Sequence, residues 1–234
     1  MKRFFIRAAS MFILAAAGTA FAATTVLDDF NRADGGLGPN WTVQDGAFAI
    51  AGNVAVGSSG GLAIYNGVSS RVVEVDVALV NGASVQYAGV VLDYASLVSN
   101  IFVKVQNNDS PSQFDRMFCY LGNNGSDFGS PYYFDLTPAF TTAHMRVERV
   151  GSDIVTTFTN IDNGPGTQFY TCPGAPVTGG TGVGLVGFAG GATGDNFAIE
   201  RAGPPAGVPT LTQSALVILG GLLVLSALAL RRRG

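Results

Sequence analysis

Metal-binding side chains and charged residues are scarce in this sequence. The chain has a single histidine, His144, which excludes zinc sites built on two or three imidazoles. Two cysteines exclude thiolate-rich zinc or iron–sulfur sites and a multi-disulfide miniprotein. Only 12 % of the 234 residues are charged, about half the fraction that soluble domains usually carry.

The few charges are unevenly distributed along the chain. Three of the 13 basic residues lie within the first seven positions and three within the last four. Residues 23–207 hold seven basic against 16 acidic residues, a net charge of −9. This balance excludes nucleic-acid binding through a basic, phosphate-facing surface. The same segment has one Lys and three Glu but many Gly, Val, Thr, Phe and Tyr, which favours β-structure.

The first 22 residues have the organisation of a secretory signal peptide. The basic residues Lys2, Arg3 and Arg7 precede a short apolar run, residues 8–17. Ala20 and Ala22 are small residues at positions −3 and −1 of a cut after Ala22. We expect export and removal of residues 1–22 by signal peptidase; an uncleaved N-terminal anchor is the alternative.

The C-terminal end has three parts in a fixed order. A Pro/Gly linker, residues 202–207, leads into the short motif formed by Val208, Pro209, Thr210 and Leu211. The apolar run 215–230 follows, and 16 residues at 1.5 Å each give roughly 24 Å, enough for a short membrane span. Arg231, Arg232 and Arg233 then place the end of the span in the cytoplasm and the preceding domain outside.

This order resembles the IPTL-CTERM sorting signals of Gram-negative bacteria, which are related to PEP-CTERM. Val208 stands where that family has isoleucine, and the tryptophan often found after the motif is absent. The resemblance implies a precursor anchored in the inner membrane and cleaved near the motif by an exosortase-like protease. It also implies a final location at the cell surface or in the extracellular matrix. A plain single-span anchor is the alternative.

Between the two tails, residues 23–201 alternate between apolar and polar side chains. Val73, Val75 and Val77, for example, alternate with Glu74 and Asp76. Strands are predicted at 24–30, 46–50, 62–65, 73–79, 85–94, 101–106, 114–121, 145–148, 154–159, 167–171 and 182–189. About a dozen strands separated by Gly, Asn and Asp predict an all-β fold, a two-sheet antiparallel jelly-roll sandwich.

Residues near both ends of this domain carry a second resemblance. The segments 28–35, 50–53, 183–188 and 192–197, together with Trp41, are similar to laminin-G-like, concanavalin A-like lectin/glucanase domains of bacterial secreted proteins. The resemblance implies that the first and last strands pair, bringing Asp28–Phe30 beside Asp195–Phe197. It is informative about fold rather than function, because this fold hosts lectins, glycosidases, adhesion modules and spacers.

Catalytic motifs are incomplete. Glu74 and Asp76 share a strand face, as in the acid pair of laminarinase-type glucanases, but Ala78 and Leu79 occupy the positions of the third acid. The pattern G-x-S-x-G at 57–61 is interpreted as a turn, since no helix follows. The pattern G-x-G-x-x-G at 182–187 is interpreted as a strand, and His144 as a surface or capping residue. We therefore expect no enzyme; glycan cleavage by Glu74 and Asp76 is the alternative.

Three further groups of residues are candidates for binding or stability. The second resemblance implies a Ca²⁺ ion held by Asp195 with Asp28 or Asp29, although aspartates also cap turns. Cys119 and Cys172 are expected to form a disulfide in an oxidising compartment. Aromatic and polar residues suited to carbohydrate are Tyr94, Asn107, Asp109, Arg116, Tyr132 and Tyr133. The alternative for these is core aromatics and polar turns.

The sequence therefore favours an exported, surface-sorted β-sandwich that binds or organises polysaccharide without catalysis. A secreted glycan-cleaving enzyme and an adhesive module with a protein partner remain the alternatives.

Overall fold

The computed structural model of the chain describes residues 23–80, 85–122, 126–128 and 131–200. Within these ranges the regular secondary structure is β-strand, apart from a short 3-10 turn at Ile161–Asn163. No helix in these ranges is long and apolar enough to cross a membrane. The predicted signal peptide, linker, sorting motif and span 215–230 lie outside the described residues.

Fourteen strands form the fold within the described ranges. Their bounds are Thr24–Asp28 (β1), Trp41–Ala51 (β2), Val54–Tyr65 (β3), Val72–Leu79 (β4), Tyr87–Ser96 (β5), Ser99–Gln106 (β6), Phe114–Leu121 (β7), Ser126–Asp127 (β8), Tyr133–Phe140 (β9), Thr142–Val150 (β10), Asp153–Thr159 (β11), Gln168–Cys172 (β12), Gly182–Phe188 (β13) and Ala192–Glu200 (β14).

Antiparallel hydrogen bonds join the strands in the order β12-β11-β10-β4-β14-β3-β13-β5-β6-β7-β8, with β1 on β14, β2 on β3 and β9 on β7. The link between β14 and β3 consists of two residue pairs, Thr193 with Val56 and Gly194 with Ala55. The sheet folds over at this short link, which divides it into two layers. The β12–β14 layer holds β12, β11, β10, β4, β14 and β1, and the β3–β9 layer holds the remaining strands.

Inward-facing side chains from both layers form one core. Val75 and Met145 of the β12–β14 layer belong to the same buried cluster as Val90 and Val103 of the β3–β9 layer. The largest fully buried side chains include five phenylalanines, Phe30, Phe114, Phe140, Phe158 and Phe197. Each such side chain stabilises the fold by about 1.5–3 kcal/mol through removal from water. The predicted all-β antiparallel sandwich is confirmed.

The strand β12, at one end of this order, is joined to β7, next to the other end. Cys119 of β7 and Cys172 of β12 form a disulfide, with 6.5 Å between their Cα atoms. Beside it, the rings of Phe134 and Tyr170 are 5.3 Å apart, and Gln168 Nε2 donates to Pro138 O at 2.8 Å. These contacts close the edge of the sandwich opposite the fold-over.

The first and last strands pair, as the second resemblance implies. Thr24 pairs with Glu200 at one end of β1, and Asp28 pairs with Phe197 at the other. Trp41 packs on this pairing, because its ring lies 4.9 Å from that of Phe197 and its Nε1 donates to Asp28 Oδ2 at 2.7 Å.

The turn prediction for residues 57–61 is wrong, because they lie inside β3. Ser59 and Gly60 have positive φ angles of 54° and 73°. The pairing of β2 with β3 shifts register on both sides of Asp45, so the β2–β3 hairpin has a β-bulge here. Gly46 is required at this bulge, since a Cβ there would lie 2.8 Å from Ser58 O. The segment 182–187 is the strand β13, as predicted.

Candidate functional site

The β3–β9 layer carries a second apolar cluster on the side that faces away from the core. Its buried members are Leu62, Ile64, Val91, Phe102 and Val186. Tyr87, Tyr94 and Tyr120 are partly buried and pack against it. We call the outer surface of β5, β6, β7 and β9 the aromatic face; its side chains are Tyr87, Tyr94, Phe102, Lys104, Arg116, Phe118, Tyr120 and Tyr133.

Strand register explains why these residues meet. Side chains alternate between the two sides of a strand, so directly paired residues share one side. Lys104 pairs with Phe118, and Phe118 pairs with Tyr133, which forms one row across three strands. Parallel to it lie the row of Phe102 and Tyr120 and the row of Gln106, Arg116 and Asp135.

The rings of the aromatic face form a continuous strip across β6, β7 and β9. Successive ring centres are separated by 5.1 Å (Phe102 to Tyr120), 5.6 Å (Tyr120 to Phe118) and 5.9 Å (Phe118 to Tyr133). Tyr132 extends the strip, 5.1 Å from Tyr133. Phe102 and Phe118 are buried, Tyr120 and Tyr133 are half-buried, and Tyr132 is exposed. The strip thus has a phenylalanine floor and tyrosines at the surface.

Lys104 lies in the middle of the aromatic face. Its Nζ is 4.0 Å from the ring centre of Tyr87 and about equally distant from the rings of Phe118 and Tyr120, at 5.2 and 5.1 Å. The ammonium donates a hydrogen bond to Gln106 Oε1 at 2.8 Å. Burial lowers the pKa of Lys104 to about 8. A cation held between three rings fixes their relative positions.

Arg116 forms a polar rim at one end of the strip. Its guanidinium lies 5.0 Å from the ring centre of Tyr133, Nη2 donates to Asp109 at 2.7 Å, and Nε donates to Asp135 at 3.3 Å. The loop that carries Asp109 is held by Asp115, whose carboxylate accepts from the backbone amides of residues 108–110. Charged hydrogen-bonding groups thus stand directly beside an exposed aromatic surface.

The structure brings together most, but not all, of the predicted carbohydrate-binding residues. Asp109, Arg116, Tyr132 and Tyr133 lie together at the rim, and Tyr94 lies at the opposite end of the aromatic face, paired with Gly182. Asn107 does not belong to this surface: its side chain is 3 % exposed and its Oδ1 accepts from the amide of Gln86 at 2.5 Å.

Sequence reasoning missed Lys104, Tyr87, Phe102 and Phe118 as members of the site. The signal was present in the alternation of residues 101–106 and 114–121, which puts Lys104 and Phe118 on the same side as Arg116. That inference needs the pairing of β6 with β7, which is fixed by hydrogen bonds rather than by composition.

Glu74 and Asp76 lie on the outer side of the β12–β14 layer, within a network of ion pairs. Arg146 Nη1 donates to Glu74 Oε1 at 2.7 Å, and Thr24 Oγ1 donates to Glu74 Oε2 at 2.7 Å. His144 Nδ1 is 2.7 Å from Asp76 Oδ1, and its Nε2 is 3.6 Å from Glu74. His144 therefore lies between the carboxylates of Glu74 and Asp76 and contacts both, which differs from the predicted surface or capping role.

This network stabilises the ionised forms of its members. Burial of Glu74 opposes ionisation, but hydrogen bonds from His144, Thr24 and Arg146 outweigh it and lower the pKa to about 2. His144 and Asn196 likewise lower the pKa of Asp76 against the effect of burial. Asp76 and Glu74 together raise the pKa of His144 to about 9.

Asp28, one of the aspartates predicted to hold Ca²⁺, already has hydrogen-bond donors on both carboxylate oxygens. The carboxylate of Asp28 accepts from Arg32 at 2.5 and 3.0 Å, from Trp41 Nε1 at 2.7 Å and from the amide of Phe30 at 2.9 Å. A carboxylate with four donors has no lone pair left for a cation. Across the part of the chain that the structure describes, no three His, Cys, Asp or Glu side chains are arranged to hold a metal ion.

Asp29 and Asp195 also have local partners. Asp29 accepts from the amide of Asn31 at 3.1 Å, and Asp195 accepts from the amide of Asn196 at 2.8 Å. Burial, together with the nearby negative charges of Asp76, Asp29 and Asp28, raises the pKa of Asp195. These contacts fit the alternative interpretation, in which both aspartates cap turns, and the calcium site stays a prediction.

Comparison with known proteins gives structural neighbours only. No protein-family model and no curated protein matches the chain. The CBM2 module of the Lactobacillus casei BL23 phage J-1 evolved Dit is similar in structure, with 15 % identity and a TM-score of 0.47 over 73 % of this chain and 91 % of that one. Lectin II from Ulex europaeus is 9 % identical, with a TM-score of 0.47 over 76 % of this chain and 95 % of that one. Lectin UEA-II complexed with galactose is 9 % identical, with a TM-score of 0.43 over 68 % of this chain and 90 % of that one.

Proposed function

We propose that this protein is an exported, surface-sorted glycan-binding domain without catalytic activity, and that the aromatic face is its binding site. The observation that carries the proposal is the strip of rings with a charged rim. The apolar face of a sugar ring packs on aromatic rings, while charged and amide groups at the edge hydrogen-bond its hydroxyls. Tyr120 and Tyr133 provide the first element, and Arg116 with Asp109 and Asp135 the second.

The pKa values of Glu74 and Asp76 support glycan binding without cleavage. A glycoside hydrolase needs one carboxyl group that stays protonated and so has a raised pKa. Glu74 and Asp76 both have lowered pKa values, and both are engaged by His144. They stabilise the β12–β14 layer instead, on the opposite side of the sandwich from the aromatic face.

Glycan cleavage is the second candidate function, and one observation supports it. Asp195 pairs with Asp76 across β14 and β4, and the two have pKa values shifted in opposite directions. Both line a cavity of about 270 Å³ together with His144. Turnover of a polysaccharide that is abolished by Asp195→Asn would establish this function in place of the first.

The binding proposal is tested by titrating the full chain with soluble polysaccharides and oligosaccharides by calorimetry. Replacing Tyr120 or Tyr133 by Ala is expected to weaken binding at least tenfold, because each removes a ring from the surface. Phe169→Ala is the matched control, since Phe169 is 68 % exposed on β12, away from the aromatic face. The absence of binding to any polysaccharide, or an equal loss in Phe169→Ala, would refute the proposal.

Surface sorting rests on the signal-peptide organisation of residues 1–22 and on the sorting-signal resemblance of the C-terminal end, and it has its own test. We propose that an exosortase-like protease releases the domain from the inner membrane, so that it reaches the cell surface or the exopolysaccharide matrix. Mass spectrometry of the mature protein would then find a C-terminus near Val208–Leu211. A mature chain that retains Arg231–Arg233 would instead establish a permanent membrane anchor.

A further inference from the structure

The charged rim of the aromatic face consists of one base shared by two acids. Arg116 Nη2 is 2.7 Å from Asp109 Oδ2, and Arg116 Nε is 3.3 Å from Asp135 Oδ1, so the three side chains together carry a net charge of −1. The base is also the least accessible of the three, since the side chain of Arg116 is 26 % exposed, against 70 % for Asp109 and 73 % for Asp135. A ligand that approaches the rim therefore meets carboxylates first.

The hydrogen-bonding capacity of the rim favours ligands that donate. A carboxylate only accepts hydrogen bonds, and the exposed part of the rim consists mainly of the carboxylates of Asp109 and Asp135. Sugar hydroxyls and amide groups can donate to them, whereas the carboxylate or sulfate of an acidic sugar cannot. An anionic group that reaches Arg116 lies beside two like charges, which repel it.

The second base of the aromatic face, Lys104, offers a ligand almost no surface. Its side chain is buried, and its Nζ lies within 5.2 Å of the ring centres of Tyr87, Phe118 and Tyr120. The ammonium also donates to Gln106 Oε1 at 2.8 Å. Lys104 thus contributes its charge to the surroundings of the rings, but the rings cover most of the ammonium.

Among the residues that the structure describes, acids outnumber bases around the rings. The acids are Asp45, Asp109, Asp115 and Asp135. Asp45 acts on the face through Tyr87, because burial and the charge of Asp45 raise the pKa of this tyrosine. The bases are Lys104 and Arg116, so two bases face four acids and the net charge is −2. The net charge of −9 over residues 23–207 adds a long-range potential of the same sign.

We propose that the aromatic face selects uncharged glycans and excludes acidic ones, so that the ligand class of this domain is neutral polysaccharide. This inference rests on the proposed function, since it assigns a class of ligand to the same site. The rings pack against the apolar face of a sugar whatever charge the sugar carries. Selection arises at the rim, where a uronate or sulfate would lie beside Asp109 and Asp135, and such like-charge contacts suppress the wrong partner.

The test compares glycans that differ in charge but share a backbone. The full chain is titrated by calorimetry at neutral pH with mixed-linkage β-glucan, galactan, mannan and polygalacturonate. The first three are titrated again after oxidation of their primary hydroxyls to carboxylates, and polygalacturonate after reduction of its carboxyl groups to hydroxyls. In every pair that shows binding, the uncharged member is expected to bind about tenfold more tightly. Raising the salt concentration to about 0.5 M is expected to narrow this difference by screening.

The double variant Asp109→Asn/Asp135→Asn tests whether the rim causes the preference. It removes both carboxylates from Arg116 and changes the net charge of the rim from −1 to +1. The readout is the ratio of the two dissociation constants within a pair, which the loss of a hydrogen bond common to both forms does not change. This ratio is expected to fall at least fivefold.

The matched control is Asp34→Asn/Asp153→Asn, which removes the same charge from the loop before β2 and from the start of β11. These two side chains accept from backbone amides of Gly52 and Gly174, away from the aromatic face. The ratio of dissociation constants is expected to stay within twofold of the wild type. Thermal unfolding of each variant verifies that the sandwich is folded.

Failure of charge selection and failure of glycan binding give different results. Equal affinities within a pair, tighter binding of the acidic member, or a ratio that Asp109→Asn/Asp135→Asn leaves unchanged would overturn charge selection and leave glycan binding established. The absence of binding to any of these polysaccharides in either form would refute the proposed function, and charge selection with it.

Discussion

The ammonium nitrogen of Lys104 lies 4.0 Å from the centre of the Tyr87 ring. Two effects act on this charge in opposite directions. The surrounding rings attract it, whereas its removal from water favours the neutral amine and lowers the pKa to about 8. The aromatic face is therefore assembled around a charge whose burial opposes folding at neutral pH.

The first prediction follows from this shift in the pKa of Lys104. Between about pH 8 and the ordinary value of 10.5, the unfolded chain binds more protons than the folded one, so stability rises with pH across that window. Between pH 7 and 10.5, the free energy of unfolding of the wild type is expected to rise relative to that of Lys104→Met, on the order of 3 kcal/mol at most. Urea unfolding at three pH values measures the difference. Stability curves that run parallel in the two proteins would contradict it.

The second prediction concerns His144, whose pKa is raised to about 9 by Asp76 and Glu74. A raised pKa in the folded state means stability that is fully present below 6.5, the ordinary value, and is lost as the pH rises through 9. The His144 side chain is about one-third exposed. Solvent screening therefore limits the contribution of its ion pairs to the free energy of unfolding to about 1–2 kcal/mol.

Replacement by a neutral amide tests the role of His144. His144→Gln is expected to be less stable than the wild type at pH 6 by this amount and equally stable near pH 10, as measured by chemical unfolding. Thr157→Val, on the neighbouring strand β11, serves as a control without a titrating group. A difference that does not change with pH would show that packing, not charge, accounts for the contribution of His144.

The sandwich was predictable because the alternation of apolar and polar residues is local information. The alternation at 73–79 and 101–106, and the hairpin around Gly151, each follow from a few neighbouring residues. The strand β9 (Tyr133–Phe140) was not among the predicted strands, and it contains Pro138, which has no amide hydrogen to donate to a ladder. The structure accommodates the proline in a strand whose ladder partner in the described residues is β7.

The aromatic face was predictable only in part, for a reason of register. Arg116 and Tyr133 are recognisable as surface candidates from composition alone. That Lys104 lies between them and Tyr87 depends on which residue of β6 faces which residue of β5 and β7. A shift of one residue would turn Lys104 into the core. Long-range pairing decides this register, and no short segment of the sequence contains it.

The third prediction is that calcium does not stabilise the domain. The carboxylate of Asp28 is occupied by Arg32 and Trp41, and an ion would have to displace both donors. We expect melting temperatures in 5 mM CaCl₂, roughly a saturating level for the weakest extracellular sites, and in EDTA to agree within about 1 °C. A concentration-dependent increase with Ca²⁺ that is lost in Asp195→Asn would restore the calcium site implied by the resemblance.

The fourth prediction concerns the disulfide between Cys119 and Cys172, which are 53 residues apart in sequence. Closing a loop of this length restricts the unfolded chain and stabilises the fold by about 4 kcal/mol in the loop-entropy model. The double variant Cys119→Ala/Cys172→Ala is expected to lose this amount in guanidinium unfolding. Both sulfurs are fully buried, so the cavities left by the shorter side chains add to the loss.

Hydrogen exchange distinguishes two ways of closing the sandwich edge, because the loop-entropy loss arises in the unfolded chain and is the same for both. The strand β12 is held by hydrogen bonds to β11 and, towards β9, by Gln168 and the hydroxyl of Tyr170. If these contacts suffice, amide exchange in β12 and in β10 accelerates together in the double variant. If the disulfide closes the edge, exchange accelerates in β12 before it accelerates in β10. Tyr170→Phe in the oxidised wild type removes only the hydroxyl contact and supplies the reference for that comparison.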